Sequence, residues 1–316
     1  MQRGGQPVVA SIRTEFIDAR SMNFEVLTCG GGNRLALCLH GFPEHAISWR
    51  HQLPVLARLG YRAWAPNLRG YGRTTRPRRM EEYAVECLMD DVARLIDASG
   101  CDEVVVLAYD WGAVIAWYFA MREVRPLSRL IICNVPHPAP MAQAMRAGLA
   151  QLRRSWYVLF FQLPWLPEWA FGRNRAEAIA TVLSRGLNDP RAMDAEHLEV
   201  FRRNAAEPGA LTAMINYYRA LVRGGGASRQ RALGYPVIGT PTLMLWGDAD
   251  IALGIETTYG TDDYVSDLTL RVLPRVSHWV QQDAPREVNA MIEAFLTGEP
   301  VPQMRWVAEL HKGEKD

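Results

Sequence analysis

Short, unbroken apolar runs alternate along this chain with stretches whose apolar residues recur every three or four positions. Residues 35–39, 104–108, 130–133, 242–246 and 268–273 are of the first kind. Runs this short and this uniformly apolar predict parallel strands covered on both faces. Val85, Leu88, Val92, Leu95 and Ile96 are of the second kind, as are Val288, Met291, Ile292, Phe295 and Leu296, with Pro285 placed for a first helical turn. Alternating strands and helices predict an α/β fold: a mostly parallel central sheet with right-handed crossovers and helices on both faces. Residues 16–19 and 23–28 read as an N-terminal antiparallel pair. Residues 29–33, Cys-Gly-Gly-Gly-Asn, read as a hairpin turn rather than a dinucleotide-binding fingerprint.

The rhythm changes after Asn134. From about residue 138 to 234 the pattern is of helices and loops, with no convincing buried strand, and the strand–helix pattern returns at Pro236. The expected organisation is a first core segment over 1–137, a helical cap over 138–234 and a second core segment over 235–316. Ligands of open α/β sheets bind beyond the carboxyl ends of the strands, so an insertion leaving a strand end would cover the site as a lid.

Composition narrows the function classes. Of 316 residues, 49% are hydrophobic and 22% charged, ordinary values for a folded domain, and a formal net charge of +1 makes no electrostatic case for nucleic acid. The five cysteines, Cys29, Cys38, Cys87, Cys101 and Cys133, form no C-x-x-C pair, and the seven histidines form no H-x-x-x-H pattern. Neither a disulfide framework nor a metal site is expected. Residues 1–10 contain no signal-length apolar stretch, and a cytoplasmic protein is expected. The aromatic-rich stretch 156–171 is broken by Gln162, Pro164, Pro167 and Glu168, which predicts pocket or cap core and no stable membrane insertion.

Candidate chemistry sits at the predicted strand ends. Residues 104–108 run into Tyr109-Asp110-Trp111-Gly112-Ala113 and then an apolar helix. Small-x-Asp-x-Gly between strand and helix has the form of a nucleophile elbow, with Ala108 and Gly112 flanking a sharp turn and Asp110 in the nucleophile's place. Asp248 and Asp250 follow a later strand, and His278 the next. Nucleophile, acid, histidine is the chain order of a hydrolase triad on an α/β sheet. Asp250 is expected to orient His278, with Asp248 its rival; Asn134, at an earlier strand end, is not ionisable. A carboxylate attacking a carbonyl forms an anhydride, whereas attack on saturated carbon forms an ester that water can cleave. An aspartate nucleophile therefore points to an epoxide or alkyl halide. Oxyanion donors are expected from the N–H of Trp111 and from the loop His40-Gly41-Phe42-Pro43-Glu44, Phe42 N–H foremost; a cis Phe42–Pro43 bond fits such a loop.

The chain resembles the epoxide hydrolases of the α/β-hydrolase fold. The matching pieces are His40-Gly41-Phe42-Pro43, Arg69-Gly70-Tyr71-Gly72, Asp110-Trp111-Gly112, Trp246-Gly247-Asp248-Ala249-Asp250 and Ser277-His278-Trp279, in order and spread from about residue 16 to 296. The resemblance implies Asp110 as nucleophile, Asp250 as acid and His278 as base, with no cofactor. It extends to the segments around Tyr157 and Tyr218 and implies that these two phenols assist ring opening. Tyr217, on another helix face, is expected to pack. The substrate expected under an aromatic cap is a small apolar epoxide, converted with water to a vicinal diol.

Haloalkane dehalogenation is the alternative reaction. Many such enzymes carry Asn where this chain has Phe42, and an alkoxide needs the acid that a phenol supplies whereas a halide does not. A ligand-binding or inactive protein on the same fold is the third reading. Two departures stand out: Tyr109 precedes the nucleophile where His is common, and Asn67 stands where Asp is common. Glu44 is a candidate for positioning water. Monomer and homodimer are both open.

Overall fold

The computed structural model describes residues 11–147, 149–189 and 191–304. The expectation about residues 1–10 lies outside them. Eight strands form one sheet: β1 (Arg13–Ala19), β2 (Met22–Cys29), β3 (Arg34–Leu39), β4 (Arg62–Pro66), β5 (Glu103–Tyr109), β6 (Arg129–Cys133), β7 (Thr242–Gly247) and β8 (Leu268–Leu273), in the spatial order β1-β2-β4-β3-β5-β6-β7-β8. β1 pairs with β2, and β2 with β4, antiparallel; the pairs from β4–β3 through β7–β8 are parallel. Every residue of 35–39 is fully buried. Because side chains alternate between faces, both faces of β3 are covered, which explains why its run is apolar throughout.

Between strands lie α1 (Leu53–Arg58), α2 (Val85–Ser99) and α3 (Trp111–Met121), and at the end α11 (Val280–Asp283) and α12 (Pro285–Thr297), with Pro285 in the first turn of α12 as its position suggests. α2 packs on α3, and α1 on α12. Between β6 and β7 the described chain is helical: α4 (Pro138–Ala147), α5 (Leu149–Arg154), α6 (Trp156–Phe160), α7 (Leu166–Gly186), α8 (Ala195–Ala206), α9 (Ala210–Val222) and α10 (Gly226–Ala232). Non-helical backbone at Arg173, Asn174, Arg175 and Ala176 breaks α7.

Two expectations need correction, and one strand goes unpredicted. Residues 29–33 do not close a hairpin: β4 inserts between β2 and β3, so the glycines link strands that are not neighbours. β4 itself escapes the sequence pattern, being five residues long with one large apolar side chain, Trp64. β8 is only half-buried because it forms the sheet edge.

The switch point falls between β3 and β5. From β3 the chain moves outward to β4, then returns to place β5 on the other flank of β3. The crevice at such a reversal opens beyond the strands' carboxyl ends, where residues 40–44 and 110 lie.

Candidate active site

Asp110 joins β5 to α3 with φ 48° and ψ −121°, a conformation ordinarily left to glycine. The turn is possible because its neighbours are small. A Cβ on Gly112 would collide with the carbonyls of Leu39 and His40, and one on Gly41 with the Asp110 side chain. Asp110 Oδ1 accepts a hydrogen bond from Phe42 N at 2.5 Å, in a loop whose Phe42–Pro43 peptide is cis. His40 anchors that loop: it is fully buried, and its Nε2 accepts from Leu68 N at 3.0 Å. Trp111 is the first residue of α3, so its N–H lacks an intrahelical acceptor.

Asp110 Oδ2 faces His278 Nε2 at 3.6 Å, and His278 Nδ1 lies 2.6 Å from Asp250 Oδ2. Asp250 is itself held: Oδ1 accepts from Ala252 N and Leu253 N at 2.7 and 2.8 Å, and Oδ2 accepts from Asn134 Nδ2 at 2.7 Å. Asn134 Oδ1 accepts from Gly247 N at 2.8 Å, pinning the end of β6 to that of β7. A Cβ on Gly247 would collide with the carbonyls of Val276 and Ser277, so this glycine brings the histidine loop against the acid's strand. Asp248, the rival acid, is exposed and accepts from Arg275 N instead.

Burial alone would lower the His278 imidazole. The Asp250 charge and the contacts with both carboxylates outweigh it and raise the pKa to about 10. Glu44 is fully buried; that burial, with the Asp110 charge adding to it, pushes its carboxyl up to about 8. One Glu44 oxygen accepts from Gln282 Nε2. The other, Oε2, and the phenol oxygen of Tyr109 are buried and find no partner among the described residues. The Tyr109 ring is 5.1 Å from the His278 ring.

The two tyrosines expected overhead come from different helices of the insertion, Tyr157 from α6 and Tyr218 from α9, with ring centroids 5.9 Å apart. Burial first, then the Asp110 charge, hold both phenols above their ordinary pKa. Tyr217 packs, as expected: it is buried, donates to Arg69 O at 2.8 Å and sits against Tyr71 and Trp111. Asn67 is likewise structural, accepting from Ala46 N and donating to Glu25.

Two cavities meet at these groups. One, of about 260 Å³, is lined by Phe42, Asp110, Tyr157, Phe161, Tyr218 and His278, among others. The other, of about 250 Å³, shares Asp110, Tyr157 and Tyr218 and runs past Trp111, Tyr118, Val135 and Leu253. A carboxylate, an imidazole and two phenols therefore face a largely apolar space reached from two sides.

Residues 37–285 match the family model described as alpha/beta hydrolase fold. Epoxide hydrolase 4 of Mus musculus is 38% identical over 273 residues, covering 85% of this chain and 74% of that protein. The chain belongs to the epoxide hydrolase family. A second relative, epoxide hydrolase A of Mycobacterium tuberculosis, is 30% identical over 315 residues, 89% of this chain and 96% of its own. A mutant epoxide hydrolase from Bacillus megaterium, solved with its product (R)-3-[1]naphthyloxy-propane-1,2-diol, superposes with a TM-score of 0.80 at 27% identity, over 90% of this chain and 100% of that one.

Two features of the site are not anticipated by the sequence pattern. Asn134, not ionisable and so no candidate acid, nevertheless holds Asp250 in place. The signal was available: it ends a predicted strand beside the one bearing Asp250. The other feature is the exposure of the aromatic stretch. Trp156, Phe160, Phe161 and Phe171 line a cavity, but Trp165 and Trp169 point outward, 70% and 55% exposed. They are not core, because short helices and loops over 156–171 leave one face without a packing partner. A wider groove of about 580 Å³, lined from α7, α8 and α9 by residues such as Glu168, Arg175 and Arg203, holds none of the candidate site groups. No three His, Cys, Asp or Glu side chains group as metal ligands among the described residues.

Proposed function

We propose that the protein hydrolyses an apolar epoxide to a vicinal diol through an ester on Asp110, under a cap formed by the helical insertion. The observation that carries this is the convergence of Asp110, His278, Tyr157 and Tyr218 on one cavity.

Tyr157 and Tyr218 donate hydrogen bonds to the epoxide oxygen. Asp110 Oδ2, the oxygen not engaged by Phe42 N–H, attacks a ring carbon; the C–O bond breaks and its oxygen takes a phenol proton. The electrostatics favour this order. The Asp110 charge that raises both phenols disappears as the ester forms, so the tyrosines become better acids while the alkoxide develops. The same loss removes one of the charges that hold His278 protonated. Its proton returns to the tyrosinate, and the neutral imidazole, oriented by Asp250, takes a proton from water. The resulting hydroxide attacks Cγ of Asp110. The N–H groups of Phe42 and Trp111 stabilise the oxyanion; its collapse expels the diol's oxygen, which takes the proton of the hydroxyl added to Cγ and leaves Asp110 a carboxylate. Glu44 Oε2 and the Tyr109 phenol, buried near the imidazole, hold that water.

Incubation with styrene oxide and a panel of aliphatic epoxides tests the proposal: diol should form. Halide released from haloalkanes with no diol from any epoxide would assign dehalogenation instead. Binding without turnover of either class would make the protein a receptor on this fold.

A further inference from the structure

The helical insertion carries more exposed aromatic surface than packing requires. On α6 and the loop after it, Trp156, Leu159 and Leu163 are 61%, 69% and 43% exposed, at helical spacing on one side. Trp165 and Trp169 follow, one turn apart at the start of α7. The Phe160 and Phe161 rings lie 6.5 and 5.7 Å from Phe171, packing α6 against the first turns of α7, so the two groups are carried by adjoining elements. Isolated exposed apolar residues are common in proteins, but five large ones between residues 156 and 169, three of them indoles, are not.

Charge and position bear on what this surface fits. From residue 146 to 176 the chain holds five arginines, Arg146, Arg153, Arg154, Arg173 and Arg175, against one acid, Glu168. That acid is paired with Arg219 at 2.5 Å. The Arg173 guanidinium lies 4.9 Å from the Trp169 ring centroid, and Arg154, which pairs with Glu256 at 3.4 Å, sits at the cavity beside Trp156. The patch also continues into the cavity's rim, where Trp156, Val182 and Ile251 are all lining residues and all exposed. Indoles and leucines bordered by arginine suit the boundary of a bilayer with anionic headgroups, where an indole's apolar body and N–H each find a matching layer. No helix among the described residues is long and apolar enough to cross a membrane, so contact would be at one leaflet.

We propose that this face of the insertion docks on an anionic lipid surface with the cavity mouth against the acyl layer. An apolar substrate dissolved in lipid then enters past Trp156, Val182 and Ile251 without crossing water. The docking goes beyond the proposed reaction and does not depend on it; only the entry route rests on that reading.

The test is partitioning of the purified full-length chain onto vesicles of phosphatidylcholine with about 30% phosphatidylglycerol. The chain should co-sediment, its tryptophan emission should move to shorter wavelength, and binding should weaken on pure phosphatidylcholine and at about 1 M salt. A variant carrying Leu159→Ser, Trp165→Ser and Trp169→Ser should partition at least about tenfold less while still turning over a water-soluble epoxide. These three side chains lie outside both cavities. Salt and lipid dependence, read on the unsubstituted chain, keep the test independent of how the variant folds. Absence of vesicle binding would overturn the proposal, as would equal binding by the variant. A dimer in sedimentation velocity that the same substitutions dissolve would assign the patch to a second copy of the chain and overturn it too.

Discussion

The floor and the roof of the site are built by opposite means. The floor stands on strand ends: Asp110 after β5, Asn134 after β6, Asp250 after β7 and His278 after β8. Its groups are tied by hydrogen bonds, with Asp250 accepting from Asn134 and two backbone N–H groups and Asp110 from a third. The roof hangs from helices α6 and α9; Tyr218 meets the floor through ring contacts, with Trp111 and Phe42 at 5.0 and 5.4 Å, while its neighbour Tyr217 donates to Arg69 O. Directional bonds fix atoms to within tenths of an ångström, whereas aromatic packing tolerates sliding. On the proposed reading, the floor is suited to chemistry that cannot vary, and the roof to a substrate that can.

The comparison breaks most visibly at Asp110. Asp110→Ala should abolish diol formation, a loss of at least about 10⁴-fold in kcat, with the fold intact by circular dichroism. Residual turnover near wild type would remove the floor from the chemistry. On the roof, Tyr157→Phe with Tyr218→Phe should lower kcat by about 10²–10⁴-fold, each single change costing less because one phenol remains. Unchanged kcat in the double variant would leave the roof as a lid only. Asn134→Ala sharpens the comparison within the floor. It leaves the Gly247 N–H buried without its partner and should cost about 1–3 kcal/mol in chemical denaturation. Ester hydrolysis should slow more than ester formation, because the loosened group is the acid that orients His278.

A further effect is one of pH. His278 is raised to about 10 in the fold against an ordinary value of about 6.5. The stability this contributes is fully present below about pH 6.5 and is lost as pH rises through about 10. Between pH 7 and 10 the wild-type Tm should therefore fall further than that of His278→Gln. Equal slopes would mean the imidazole is not held charged between its carboxylates.

The same division governs what the sequence disclosed. The floor was legible because strand ends are: an apolar run fixes where a strand stops, and Asp110, Asp250 and His278 each follow one. The resemblance carried the choice of Asp250 over Asp248, which spacing left open and which geometry explains by turning Asp248 toward Arg275 N. The roof was legible only by type. Helical content from 138 onward could be read, and Tyr157 and Tyr218 could be named from resemblance. Nothing in residues 156–171 distinguished Phe161, 1% exposed, from Trp165, 70% exposed. That outcome depends on how α6 and α7 lie against the sheet. β4 was missed for a related reason, since a five-residue strand owes its place to neighbours β2 and β3 rather than to its own pattern.

The covalent step on Asp110 is tested most directly by a single turnover in water labelled with heavy oxygen, enzyme in excess over epoxide. The label should appear in the peptide bearing Asp110, while the first diol formed carries the unlabelled carboxylate oxygen. Label in that diol, with none in Asp110, would mean that water attacks the epoxide itself and would contradict the account.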